Sequence, residues 1–234
     1  MALLMLPVFD MNPKMSNRQF QGMTLLETLV VMVLLAVLSA MVLAKMARVN
    51  TGCCHGISCV NNLKQIGTAF QIWKNDNSNA YPMEVSTNDG GSREYAFGPE
   101  AFRHFQIMQN ELGQSPKVVV CPDDKERFAA TNFINFDNSN LSYFVGVTVS
   151  ATNANTNLFL CGDRNITNGT SISHGLLRLT SNDSVGWTSG IHGDKQNTAG
   201  NILLSDGSVQ MLSTPDLQQA LKKPGVAPTV VAVP

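Results

Sequence analysis

A lone carboxylate, five cysteines and a few histidines and aspartates carry whatever chemistry this chain can do. Glu27 stands inside the apolar run "GMTLLETLVVMVLLAVLSAMVLA", where a charged side chain needs a reason to be, because burying it in hydrocarbon costs about 2.5–3.5 kcal/mol at mid-bilayer. Cys53, Cys54, Cys59, Cys121 and Cys161 would form disulfides in an exported domain, and an odd number leaves one unpaired or bridging to another chain. The stretch "CCHGISC" lacks the C-x-x-C-H arrangement of haem attachment and fits no structural zinc spacing well. His174, His192, Asp163, Asp194 and Asp206 could gather for hydrolytic or metal chemistry. The same residue types in Gly/Asn-rich loops more often cap turns through backbone N–H groups. No catalytic residue is assigned.

The elements that position these groups begin with the apolar run. From Met23 to Ala44 there are 22 residues with Glu27 as the one charge. As a helix they would extend roughly 33 Å, enough to cross a hydrocarbon core of about 30 Å. A secretory signal peptide is the rival reading, with Lys14 and Arg18 as its basic region and Val42-Leu43-Ala44 as a cleavage site. Its apolar region would normally be only about 7–15 residues and free of acids. Lys14 and Arg18 precede the run and Lys45 and Arg48 follow it, so basic residues do not orient it. The whole chain has 234 residues, room for one domain or one domain plus an appendage. A net charge of -1 with 14% charged residues gives no field that would draw nucleic acid or an anionic surface. No nucleic-acid partner is expected.

Around the start of the run, "QGMTLLETLVV" resembles the processing motif of type IV prepilins and type II secretion pseudopilins. The resemblance implies that a prepilin peptidase cuts after Gly22 and that Met23, where the family usually has Phe, becomes the methylated N-terminus. Glu27 matches the acid at the fifth mature position, which in the family pairs with the N-terminal amine of a neighbouring subunit. Such a pair offsets the desolvation of the acid and sets the axial register of assembly. The alternative is that Glu27 reaches the interface without a partner. Implied partners are other pseudopilin subunits, the peptidase and an inner-membrane assembly platform. The implied location is a single pass through a bacterial inner membrane, with the head in the periplasm or on an extracellular filament. Residues 1–22 are then leader, and translation from Met15 would shorten it to the basic "MSNRQFQG".

Beyond the run, Ile57, Val60, Leu63, Ile66, Phe70 and Trp73 recur at helical spacing, giving an amphipathic continuation over 45–79. Gly52 and Gly56, each about 1 kcal/mol unfavourable inside a helix, suggest a joint near its start. The head is expected over 80–223. "PEAFRHFQIMQNEL" reads as a helix led by Pro99 and closed before Gly113. "KVVVC", "SYFVGVTV" and "NLFLCGD" read as strands, and "GNILLSDGSVQML" as a hairpin turning at Asp206-Gly207. Thr214-Pro215 would cap a closing helix, "PDLQQALKK", and 224–234 a disordered tail. The fold class expected is α+β: a pilin-like lollipop whose long N-terminal helix lies on a mainly antiparallel sheet.

The resemblance extends through "CVNNLKQ", "SPKVVVCPDD", "LSYFVGV", "CGDRN" and "HGDKQNTAGNILLSDGSVQML" to one branch of these proteins with an enlarged head. It implies a Cys59–Cys121 bridge; Cys121–Cys161, on two predicted strands, is the rival. It also admits a calcium ion held by Asp163, Asp194 and Asp206, whose oxygens suit a hard cation; no other cofactor is expected. Two functional classes follow. One is a non-enzymatic filament subunit supporting protein secretion. The other is a membrane-anchored periplasmic binding module for a polymer or secreted cargo. A plain anchor has no use for Glu27, which favours the filament.

Overall fold

The computed structural model describes residues 24–46, 51–150, 158–170, 175–193, 198–223 and 229–234, with the side chains of 42–55 outside that description. The chain forms two compact units, Met1–Val49 and Asn50–Pro234. The first holds helix α1, Leu25–Met46. Its side chains are exposed from Leu25 to Met41, and apolar residues occupy every side of it. The hydroxyls along it fold back onto the helix, Thr28 Oγ1 donating to the Leu25 carbonyl at 2.9 Å and Ser39 Oγ to Ala36 at 2.8 Å. Those polar groups therefore make no demand on the surroundings. Among the described residues no helix is long and apolar enough to cross a membrane. The apolar run itself continues to Ala44, past Met41, where the described side chains of α1 stop.

The second unit opens with α2, Thr51–Asp76, which contains Gly52 and Gly56 rather than breaking at them. Its buried stripe is Cys59, Leu63, Ile66, Phe70 and Trp73, spaced three or four apart. Ile57, expected on that stripe, is 64% exposed. Phe70 holds the helix to the rest of the unit through edge-on contacts with Tyr81 and Phe105. The predicted long helix from Pro99 shrinks to α3, Phe102–Ile107. A distant residue decides its start: Asn138 accepts from the Phe102 N–H at 3.1 Å and donates to the Pro99 carbonyl at 2.6 Å. The predicted strand at "KVVVC" is instead a 3-10 turn over Pro116–Val119. Val119 is buried, and the Val120 carbonyl takes a hydrogen bond from Asn62 of α2, so this segment follows the helix and not a strand partner.

Among the described residues nine strands follow: β1 Tyr143–Gly146, β2 Phe159–Asp163, β3 Ile166–Thr167, β4 Leu176–Leu179, β5 Gly186–Trp187, β6 His192–Gly193, β7 Thr198–Leu204, β8 Val209–Ser213 and β9 Thr229–Ala232. β3 and β5 pair by themselves, and the other seven form one antiparallel sheet in which β4, β9, β1, β2 and β7 are successive neighbours. Ile202 pairs with both Gly162 and Gln210, and Ala199 with both His192 and Ser213, so β2 and β6 share one side of β7 while β8 takes the other. The hairpin turns at Asp206-Gly207, where Gly207 has φ 84° and the Asp206 carboxylate receives the Ser208 N–H.

Two apolar layers sandwich the sheet. Tyr143, Val145, Leu160 and Leu203 face the α2 side. Phe144, Phe159, Ile202 and Leu204 face the other, where helix α4, Thr214–Leu221, brings Leu217 and Leu221. A register shift between Phe159 and Cys161 turns Leu160 and Cys161 to the same layer. Gly67 lets α2 approach closely, since a Cβ there would lie 2.9 Å from Leu203 Cδ1. The cap of α4 is Ser213, not Thr214-Pro215; Thr214 Oγ1 instead accepts the Trp187 N–H at 3.1 Å. The expected tail holds β9, paired with β1 and β4, with Val231 and Ala232 fully buried. Its β-branched residues fill a slot between two strands that are far apart in sequence.

Candidate functional site

Glu27 lies in the first turn of α1, its backbone N–H bonded to Thr24 Oγ1 at 3.3 Å. It is the one charged side chain between Leu25 and Met41, and it is exposed. Gly22 and Met23, the expected processing residues, lie outside the described residues.

In the head the chemistry collects where α2, the segment after Val119, and strands β2, β6 and β7 converge. Cys59 on α2 is bonded to Cys121, with Cα atoms 5.2 Å apart, and both are fully buried. Cys161 is a buried free thiol whose ionisation burial pushes well up. His192 enters from β6. Its Nδ1 is 3.2 Å from Asp123 Oδ2, and its Nε2 is 3.4 Å from Asp163 Oδ2 and 3.5 Å from Cys121 Sγ. Asp163 ends β2 and is fully buried; its Oδ2 accepts the Asn201 backbone N–H at 2.5 Å and the side-chain amide at 2.9 Å. Burial raises the Asp163 carboxyl to about 7, against the two Asn201 bonds. Burial also lowers His192, with Asp123 acting the other way. Next to this group Asp124 takes a bidentate pair from Arg164 at 2.7 and 2.9 Å. Burial opposes ionisation of Asp124, yet the Arg164 bonds outweigh it and hold the carboxyl below its usual range.

Outside this centre is a groove of ≈ 790 Å³. Its apolar walls are Ile57 and Val60 of α2, with Ile191 and Met211, and its polar edge is Lys64, Asp123 and His192. Ile57 and Met211 are both more than half exposed. Sequence reasoning assigned Ile57 to the core and did not single out Asp123 or Asn201. The adjacency of Asp123 to Cys121 was the available signal for the first, while only the β2–β7 register reveals the second.

Of the expected calcium set, the two described members, Asp163 and Asp206, are not brought together. Asp163 accepts from Asn201 near the start of β7, whereas Asp206 is exposed in the turn beyond its other end and caps that turn. The strand between them keeps the two carboxylates apart. Asp194 and His174 lie outside the described residues. Of the five residues that could have clustered, the structure brings together His192 and Asp163.

An N-terminal helix followed by a mainly antiparallel sheet is an α+β arrangement consistent with a pilin-like fold. Residues 17–43 match the prokaryotic N-terminal methylation motif, the signature of type IV prepilins and pseudopilins. The motif supports a type IV pilin-like or pseudopilin-like subunit, processed by a prepilin peptidase and assembled with other pilin-like subunits. No curated protein and no solved structure matches the chain.

Proposed function

We propose that this chain is a structural subunit of a type II secretion pseudopilus or a related type IV pilus-like filament. It is cut after Gly22, methylated on Met23, and held in the bacterial inner membrane by residues 23–44 until it is taken up by the assembly platform. The observation that carries this reading is Glu27, alone in an apolar helix within the methylation motif. A helix that is apolar all round needs lipid or other helices around it, and α1 shows no polar face from Leu25 to Met41. Cleavage would place a cationic α-amine one turn from the carboxylate. Across subunits the same two charges would define a register. Mass spectrometry of the mature N-terminus tests the processing step: the expected product begins with methylated Met23, and an intact leader sinks the proposal. Assembly is tested separately with Glu27→Ala, which should stay in the membrane and fail to enter filaments.

The groove beside His192 favours a second reading, a membrane-anchored periplasmic module binding a polymer or secreted cargo. Under that reading Glu27→Ala is silent and Met211→Glu abolishes function.

A further inference from the structure

We infer that Cys59, Cys121, His192 and Asp123 are the ligands of a zinc ion when the disulfide is reduced, so that the centre of the head is a redox-gated metal site. One ligand atom from each of the four lies within 4.8 Å of all the others. In a tetrahedral site with Zn–S near 2.3 Å and Zn–N or Zn–O near 2.1 Å, ligand atoms stand roughly 3.4–3.8 Å apart. His192 Nδ1, the nitrogen on the Asp123 side, is already 3.2 Å from Asp123 Oδ2, which leaves Nε2 to the outer carboxylate Asp163. Two thiolates, an imidazole and a carboxylate are a donor set suited to zinc, and poorly suited to calcium or magnesium.

The surroundings fit a cation better than they fit a structural disulfide alone. Asp123 and Asp163 approach His192 from opposite ring nitrogens, at 3.2 and 3.4 Å. The second carboxylate, Asp163, has a buried Oδ1 with no hydrogen-bond partner among the described residues. Purely structural cystines have no need of an imidazole and two carboxylates around them. Metal-bound histidines, by contrast, are commonly held by outer carboxylates. Asp123 and His192 also line the ≈ 790 Å³ groove, which gives the ion a way in.

The chemistry balances with a dithiol as reductant. The dithiol closes to its own disulfide and supplies two electrons and two protons, the Cys59–Cys121 bond breaks, and two thiols result. Zinc then displaces both thiol protons to solvent. A disulfide oxidant, which takes the two electrons and two solvent protons to become a dithiol, reforms the Cys59–Cys121 bond and expels the ion, since a disulfide sulfur is a poor ligand. The site is independent of the filament reading and stands or falls separately from it.

Cobalt(II) and zinc titrations of the full chain in detergent, reduced with a phosphine, test this. The expected result is one equivalent of cobalt bound with a thiolate-to-metal charge-transfer band, displaced by zinc, and absent from the oxidised chain. Asp123→Asn and His192→Gln should each weaken binding by about tenfold or more. The Cys53→Ser/Cys54→Ser variant should keep the band. Thermal melts of the same samples supply a second readout, with zinc raising the melting temperature of the reduced chain alone. A reduced chain without the band, a band lost with Cys53 and Cys54, or binding by either ligand variant as tight as the parent's overturns the proposal. So does unfolding on reduction that zinc does not reverse.

Discussion

The carboxylate of Asp163 receives both the backbone N–H and the side-chain amide of Asn201, two fully buried residues that tie the end of β2 to β7 beside His192. The contact fixes the register at the point where β2 leaves β7 and β6 takes over. Asp163→Ala leaves the Asn201 N–H buried and unpaired, which costs about 1–3 kcal/mol. Asn201→Ala removes only the amide bond and should lose about 1 kcal/mol. Urea unfolding of the head measures both, and an Asp163 variant as stable as the parent would refute the assignment.

Cys59 and Cys121 close a loop with a sequence separation of 62. Chain-entropy reasoning gives about 4 kcal/mol of stabilisation for a loop of that size. Cys59→Ser/Cys121→Ser should therefore lower the urea midpoint by that amount divided by the m-value. Reducing agent should do the same to the parent protein and nothing further to the variant. Equal midpoints in parent and variant would mean that the bond is not formed.

His104 is buried, its Nδ1 2.7 Å from Ser92 Oγ, and burial pushes its pKa down to about 4 from an ordinary 6.5. The unfolded chain takes up the proton near 6.5 and the folded head resists it to about 4. Stability is thus full above 6.5 and falls as pH drops through the window between these values, by roughly 3 kcal/mol in all. His104→Gln should flatten that part of the profile. Melting curves taken between pH 4 and 7 decide the matter, and parallel profiles for the two proteins would exclude His104 as the cause.

Removing 224–234 deletes β9, which fills the slot between β1 and β4 and carries Val231, Ala232 and Val233 into the core. The shortened chain is left with two unpaired strand edges and should aggregate or lose its cooperative transition. A soluble truncated head with an unchanged melting temperature would show β9 to be dispensable.

Much of the organisation is readable from local pattern. The apolar run, the lone Glu27 and the Asp206-Gly207 turn are each encoded within a few consecutive residues. The stripe from Leu63 to Trp73 is encoded by helical spacing. These features depend on near-neighbour sterics and burial, which the residue order carries directly.

Other features depend on residues brought together from distant parts of the chain. Asn138 sets where α3 begins, and α2 turns "KVVVC" from a strand into a 3-10 turn. The valines near the C-terminus become β9 because β1 and β4 leave a strand-wide gap. Sequence alone fixed the N-terminal segment, since a charge in an apolar helix has meaning without any fold. Only the tertiary structure could place Cys121, His192, Asp163 and Asn201 at one point, because their meeting rests on strand order and register, which no local spacing records.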